Sequence, residues 1–280
     1  MKQILWSGAD FSLSQTLESG QCFRFEKDAG TGAYTAFAGD RAGVFMQEGP
    51  DVFLCEGRPE DIPFWRQYFD LERDYGTLKE RLAAGDAVMA EAVSFAPGIH
   101  LLRQEFFETL ISFILSQNNH IPRIRGLAAR LCAEYGKEME GWSAFPTPEE
   151  LARADEASLR RLGCGFRAVY LVDAVKKVCA GGYAAEELER LGTEELRARF
   201  MEIKGVGRKV ADCVMLFSLG RYEVFPADVW IRRVMEAAYF GGEPLSLRAL
   251  QETAAARFGK DAGFAQQYLF HYGRMKKIGK

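Results

Sequence analysis

Lys209 and Asp228 are the two side chains whose setting suits them to covalent chemistry. Lys209 lies in the run Ile203-Lys204-Gly205-Val206-Gly207-Arg208-Lys209-Val210-Ala211-Asp212-Cys213, and Asp228 in the later run Pro226-Ala227-Asp228-Val229. Glycines on either side of a valine let the backbone turn where side chains would clash, and they leave peptide N–H groups free to face an anion such as a phosphate of DNA. The spacing then puts Lys209 in the first turn of an apolar helix. A lysine among Val210, Ala211, Val214 and Met215 is partly desolvated, which favours the neutral amine that a nucleophile must be. Asp228 sits where a helix begins, before Val229-Trp230-Ile231. Its ordinary role there is an N-cap, and a carboxylate in that place also stabilises positive charge developing on a sugar ring. Taken singly, Lys209 reads first as a solvated or phosphate-contacting lysine. Together the two runs point to covalent chemistry on DNA.

These residues must be held by helices. Glu194 to Leu219 reads as a helix-hairpin-helix: Leu196 and Phe200 close one helix, Lys204 to Gly207 turn, and Arg208 to Leu219 form the next. The hairpin alone specifies sequence-independent DNA binding, with or without catalysis. Upstream, to about residue 56, the pattern is β-like. Short runs (Tyr34 to Ala38, Val44 to Gln47, Val52 to Cys55) alternate with the turn signals Gly39-Asp40 and Gly49-Pro50-Asp51, as in an antiparallel sheet. From Pro59 the period becomes helical, with stripes at Phe64-Trp65-Tyr68-Phe69, Leu78-Leu82 and Phe106 to Leu115. Everything after Pro97 reads as helices, broken at Gly141 to Pro148, Gly163-Cys164-Gly165, Gly181-Gly182, Gly205 to Gly207 and Gly241 to Pro244. The expected division is residues 1–96, an antiparallel β domain with flanking helices, and residues 97–280, a helical region containing the hairpin at about 194–219.

A chain of 280 residues, 48% hydrophobic, has room for two packed domains. No apolar run approaches the ~20 residues needed to span a bilayer, and Met1 to Trp6 shows no signal-peptide pattern, so the expectation is an intracellular protein. Six cysteines stand singly, without zinc-ligand spacing; reduced thiols and no metal are expected. The net charge of −3 argues against wholesale coating of nucleic acid. Its distribution points instead to one basic face on an acidic body. Arg123/Arg125, Arg160/Arg161/Arg167, Lys204/Arg208, Arg232/Arg233 and Arg274/Lys276/Lys277 lie beside the motifs, and acid concentrates in Glu138 to Glu156 and Glu186 to Glu195.

The order of motifs, from Ser19-Gly20-Gln21-Cys22-Phe23-Arg24 through the hairpin to Gln266-Gln267-Tyr268-Leu269-Phe270, resembles the 8-oxoguanine DNA glycosylases of the helix-hairpin-helix (HhH-GPD) superfamily. The resemblance implies an α+β fold: an N-terminal antiparallel β-sheet domain, TBP-like, followed by a two-lobed all-helical HhH-GPD glycosylase region. It implies a bifunctional glycosylase and abasic-site lyase in which Lys209 forms the Schiff base and Asp228 supports the oxocarbenium-like transition state. Gly20 matches the glycine whose carbonyl meets the N7 proton of the lesion. Cys213 and Phe270 match the pair that sandwiches the purine, and Gln266 the glutamine on its Watson–Crick edge. Asn118 matches the gap-filling asparagine, Arg123 and Arg167 the cytosine-reading arginines, and Phe166 the wedge; Gly205 and Gly207 belong to the hairpin that grips DNA. Read singly, Cys213 and Phe270 are also ordinary core residues, Gly20 a loop glycine and the arginines surface charges.

The implied partner is double-stranded DNA carrying 8-oxoguanine opposite cytosine, bound by a monomer with no membrane and no cofactor, in the cytoplasm of a prokaryote. No cysteine follows Cys213, so the iron–sulfur cluster of related members is not expected. The chain departs from the family pattern in three places: Phe166 replaces a tyrosine, His120 an asparagine, and Trp230 a histidine. Two rival readings stand beside this one: an endonuclease III-like glycosylase for oxidised pyrimidines, and a non-catalytic hairpin that only grips phosphates.

Overall fold

The computed structural model describes residues 2–278. Five strands, β1 (Gln3–Ser7), β2 (Phe25–Lys27), β3 (Tyr34–Ala38), β4 (Arg41–Glu48) and β5 (Asp51–Glu56), form one antiparallel sheet in the order β1-β5-β4-β3-β2. Its pleat alternates as the sequence requires. In β3, Tyr34, Ala36 and Ala38 are buried while Thr35 and Phe37 are half-exposed. The inner face packs Phe45 edge-on against Trp65 and Phe69, making a core of its own with Leu5, Leu13, Leu17, Val52 and Leu54. The β-like stretch also contains a helix, Leu13–Glu18, capped by the Ser12 side chain, which accepts from the Gln15 N–H at 3.3 Å. It is too short to declare a period, and tertiary packing of Leu13 and Leu17 decides it.

The remainder is mostly helical, as expected, with one isolated bridge between Glu138 and Ser143 inside the break at Gly141. Leu110 to Leu115 of helix Phe106–Ser116 are buried, and that helix packs on Arg208–Leu219 at the centre of a second, larger core. Helices Tyr75–Ala83 and Ala87–Phe95 send Tyr75, Leu78, Leu82 and Met89 into this same core. Among the described residues, no helix is long and apolar enough to cross a membrane.

Polar ties fix the sheet to the helices. Arg24 donates to Glu108 at 3.0 Å and to the Ser143 carbonyl at 2.9 Å, and the Gln21 amide donates to the His100 carbonyl at 2.8 Å. His100 stacks on Tyr75 with centroids 3.6 Å apart, and its Nδ1 faces the Phe69 carbonyl at 3.1 Å. Its Nε2 is buried without a hydrogen-bond partner. Burial therefore pushes its pKa down to about 4, from an ordinary 6.5, and His271 on the C-terminal helix moves the same way for the same reason. The native state then binds fewer protons than the unfolded chain between these values. The contribution of these two histidines to stability is complete above about pH 6.5 and is lost as pH falls towards 4. The melting temperature is expected to hold near neutrality and to drop below pH 6.5, with His100→Phe, which keeps the stack, flattening part of that slope. A level profile from pH 7 to 5 would remove this assignment.

Candidate active site

The hairpin forms as the sequence implies, with helices Thr193–Met201 and Arg208–Leu219. Its two glycines do different work. Gly205 has φ +78°, and a Cβ there would meet the Tyr170 ring at 2.4 Å. Gly207 is extended, φ −96°, with nothing within 4 Å of a would-be Cβ, so its value is open backbone rather than special geometry. Beneath the turn, Asp212 is fully buried; it accepts from Arg197 Nε at 2.6 Å and faces Arg208 Nε at 3.6 Å, tying the two helices together.

Lys209, one residue into the second helix, is half-buried, with Nζ 5.1 Å from the centroid of the Phe113 ring. Asp228 caps helix Val229–Tyr239, accepting from the Ile231 N–H at 2.8 Å. Capping thus occupies part of the carboxylate and fixes its direction. Both residues line one cleft of about 650 Å³ together with Gly20, Phe270 and Trp230. Gly20 comes from the loop between helix Leu13–Glu18 and β2, at φ +88°, and a Cβ on it would lie 3.1 Å from the Phe270 ring.

Cys213 and Gln266 are not among the residues that line the cleft; each is buried, 3% and 6% exposed, one turn along its helix from a residue that does line it, Lys209 and Phe270 respectively. Burial pushes the Cys213 thiol up to about 11, against the pull of Lys209 one turn back, so it is a neutral thiol at pH 7 and not a competing nucleophile. Gln266 Oε1 is buried without a partner, while the neighbouring Gln267 donates to the Ser19 carbonyl at 3.2 Å. That bond fixes the C-terminal helix beside the Gly20 loop.

Comparison with known proteins gives this geometry a family. Residues 3–110 match the profile "8-oxoguanine DNA glycosylase, N-terminal domain", and residues 111–255 match "HhH-GPD superfamily base excision DNA repair protein". The chain belongs to the 8-oxoguanine DNA glycosylase/lyase family. The structure of MBOgg1 with a low-affinity DNA ligand is 42% identical, with a TM-score of 0.92 over 99% of both chains. A Clostridium acetobutylicum 8-oxoguanine glycosylase/lyase, solved with double-stranded DNA containing cytosine opposite 8-oxoG, is 35% identical, with a TM-score of 0.91 over 99% of both. The N-glycosylase/DNA lyase of Saccharomyces cerevisiae is 39% identical over 158 residues, which cover 51% of this chain and 42% of the yeast protein.

The glycosylase residues expected to face DNA lie on two loops that meet. Asn118 is exposed, in the left-handed region at φ +47°, where an asparagine is among the few tolerated residues. Arg167, 2% exposed, accounts for that loop: Nε donates to the Gln117 carbonyl at 2.8 Å and Nη2 to the Asn118 carbonyl at 2.9 Å. Its donors are therefore engaged by the protein's own loop, whereas Arg123 is exposed. Phe166 is 46% exposed beside Gly165 at φ +61°, edge-on to Tyr170 and 4.4 Å from the Arg167 guanidinium. His120, the departure from asparagine, caps helix Ile121–Tyr135 by accepting from the Arg123 N–H at 3.4 Å.

Sequence reasoning missed part of the cleft. Phe23, Phe25, Phe113, Arg125 and Arg274 line it as well. Arg274 carried a signal, since it continues the four-residue spacing of Gln266 and Phe270. The others come from a strand edge and neighbouring helices, and their meeting is tertiary.

Proposed function

We propose that this chain excises 8-oxoguanine from duplex DNA and then nicks the strand, with Lys209 as the amine for both steps. The observation that carries the reading is the convergence of Lys209 and Asp228 on a cleft whose wall also holds Gly20 and Phe270. The amine bonds to C1′ as the C1′–N9 bond breaks; the electron pair leaves with the base, which takes up a proton. Positive charge on the sugar is held by the capped Asp228 carboxylate. The adduct opens to an iminium. Removal of a C2′ proton expels the 3′ phosphate by β-elimination, and water hydrolyses the imine to free Lys209. Gly20 discriminates through its carbonyl, which accepts from a protonated N7 but faces an acceptor on undamaged guanine. Gln266 and the Cys213/Phe270 pair receive the extruded base. Arg123, Asn118 and Phe166 fill the gap and hold the partner cytosine, Arg167 holds the Gln117–Asn118 loop in place for them, and the Gly205–Gly207 turn grips phosphate.

Borohydride trapping tests the reading. A Lys209-dependent covalent adduct is expected on 8-oxoguanine duplexes; an adduct confined to oxidised pyrimidines, or tight binding with no adduct, would replace it. Arg167→Ala is expected to narrow the preference for cytosine over adenine opposite the lesion. It also lowers stability by about 1–3 kcal/mol, because two loop carbonyls lose their donor. Excision ratios and melting temperatures measured together check this, and unchanged ratios would remove the loop held by Arg167 from partner-base reading.

A further inference from the structure

Helix Ala262–Lys276 carries Gln266, Phe270 and Arg274 at intervals of one turn, so the three side chains follow one face. The mechanism above uses the first two and leaves the arginine without a task. Arg274 lines the cleft with Lys209 and Asp228. Nη2 donates to the Glu18 carbonyl at 2.7 Å, and the guanidinium carbon stands 5.5 Å from the centroid of the Phe270 ring. Nη1 is buried with no hydrogen-bond partner, and a Cβ on Gly20 would lie 2.9 Å from it. The glycine therefore leaves room for this guanidinium as well as permitting the left-handed turn.

A buried charged donor without an acceptor is costly, so one retained at the wall of a cleft calls for an acceptor supplied by what binds there. Two kinds of acceptor reach such a cleft on DNA: a phosphate oxygen and a carbonyl oxygen of an extruded base. The placement of Nη1 favours the base. It sits against Gly20 and beside Phe270, inside the wall, whereas Asn118 and Arg123 mark the exposed face. A purine edge turned towards Gly20 presents the substituent at C6 next to N7. An oxo group there accepts from Nη1. An amino group there meets donor with donor.

We propose that Arg274 is a specificity-determining residue that donates from Nη1 to the C6 carbonyl oxygen of the extruded purine and so favours 6-oxo over 6-amino bases. This rests on the reading of the cleft as a purine-excision site. It predicts that Arg274 matters only while a base is attached, because an abasic sugar offers the guanidinium nothing.

The test compares Arg274→Met, which keeps the packing of the stem, with the unsubstituted protein under single-turnover conditions. Three duplexes are used, carrying 8-oxoguanine, 8-oxoadenine or a pre-formed abasic site. Excision of 8-oxoguanine is expected to fall about 10- to 100-fold, as for loss of one charge-assisted hydrogen bond. The ratio of 8-oxoguanine to 8-oxoadenine excision narrows, and cleavage at the abasic site is unchanged. Equal losses on base-bearing and abasic duplexes would make Arg274 a phosphate contact or a folding residue. No loss on any duplex would make it a bystander. Either overturns the proposal. Arg274→Lys, which retains stem and charge but loses the fork, guards against misfolding: it is expected to keep full abasic-site cleavage and still to lose part of the 8-oxoguanine rate. An unsubstituted protein that cleaves abasic sites but releases no 8-oxoguanine removes the proposed function and this inference together. A variant equal to the unsubstituted protein on 8-oxoguanine removes this inference alone.

Discussion

Lys209→Gln is expected to bind an 8-oxoguanine duplex about as tightly as the unsubstituted protein while releasing no base. Glutamine fills much of the space beside Phe113 and retains a polar end, so the cleft and the hairpin turn keep their shape. What it lacks is a lone pair able to bond to C1′. Without the nucleophile, single-turnover excision falls by at least ~10³-fold, the order seen when a covalent nucleophile is removed from an enzyme, and the borohydride-trapped species disappears. Gel-shift affinity and excision on the same preparation make the comparison. Retained excision would move the chemistry to another residue. Cys213 is a poor substitute, because burial holds its thiol at a pKa of about 11.

Gly205→Ala is expected to weaken binding to damaged and undamaged DNA alike and to lower the stability of the fold. Two causes combine. A left-handed backbone at φ +78° costs a non-glycine residue about 1–3 kcal/mol, and the added methyl would press on the Tyr170 ring from 2.4 Å. Relief requires the turn to shift, which would spoil the row of N–H groups proposed to face phosphate. Gly207→Ala is the matched control: an extended backbone and open space predict little loss of stability there. Melting temperatures and affinities for an undamaged duplex measured on both variants decide the matter, and equal behaviour would show that the turn imposes no such constraint.

Much of the architecture was legible in the sequence because it rests on local periodicity. The alternation of Tyr34 to Ala38 and the apolar stripe of Phe106 to Leu115 became a strand and a helix at those places. The hairpin also emerged with its expected second helix, since glycine turns and helix starts are written locally. The helix at Leu13–Glu18 was not legible, because six residues do not establish a period and packing alone selects the conformation. The site divides the same way. Lys209 and Asp228 stand out by their place at helix starts. Nothing local shows that Arg167 gives its donors to the Gln117 and Asn118 carbonyls, some fifty residues away in the chain, or that Arg274 comes to rest against Gly20.

The bond from Gln267 to the Ser19 carbonyl joins positions 248 residues apart. A growing polypeptide would therefore complete the hairpin, reactive amine included, well before its lesion filter could exist. On the proposed roles, synthesis order leaves an interval in which the hairpin has been made but the groups that would tell one base from another have not. A truncation that ends short of Phe270 also removes the buried His271, Tyr272 and Gly273 of the same helix, so it takes away packing as well as the proposed filter.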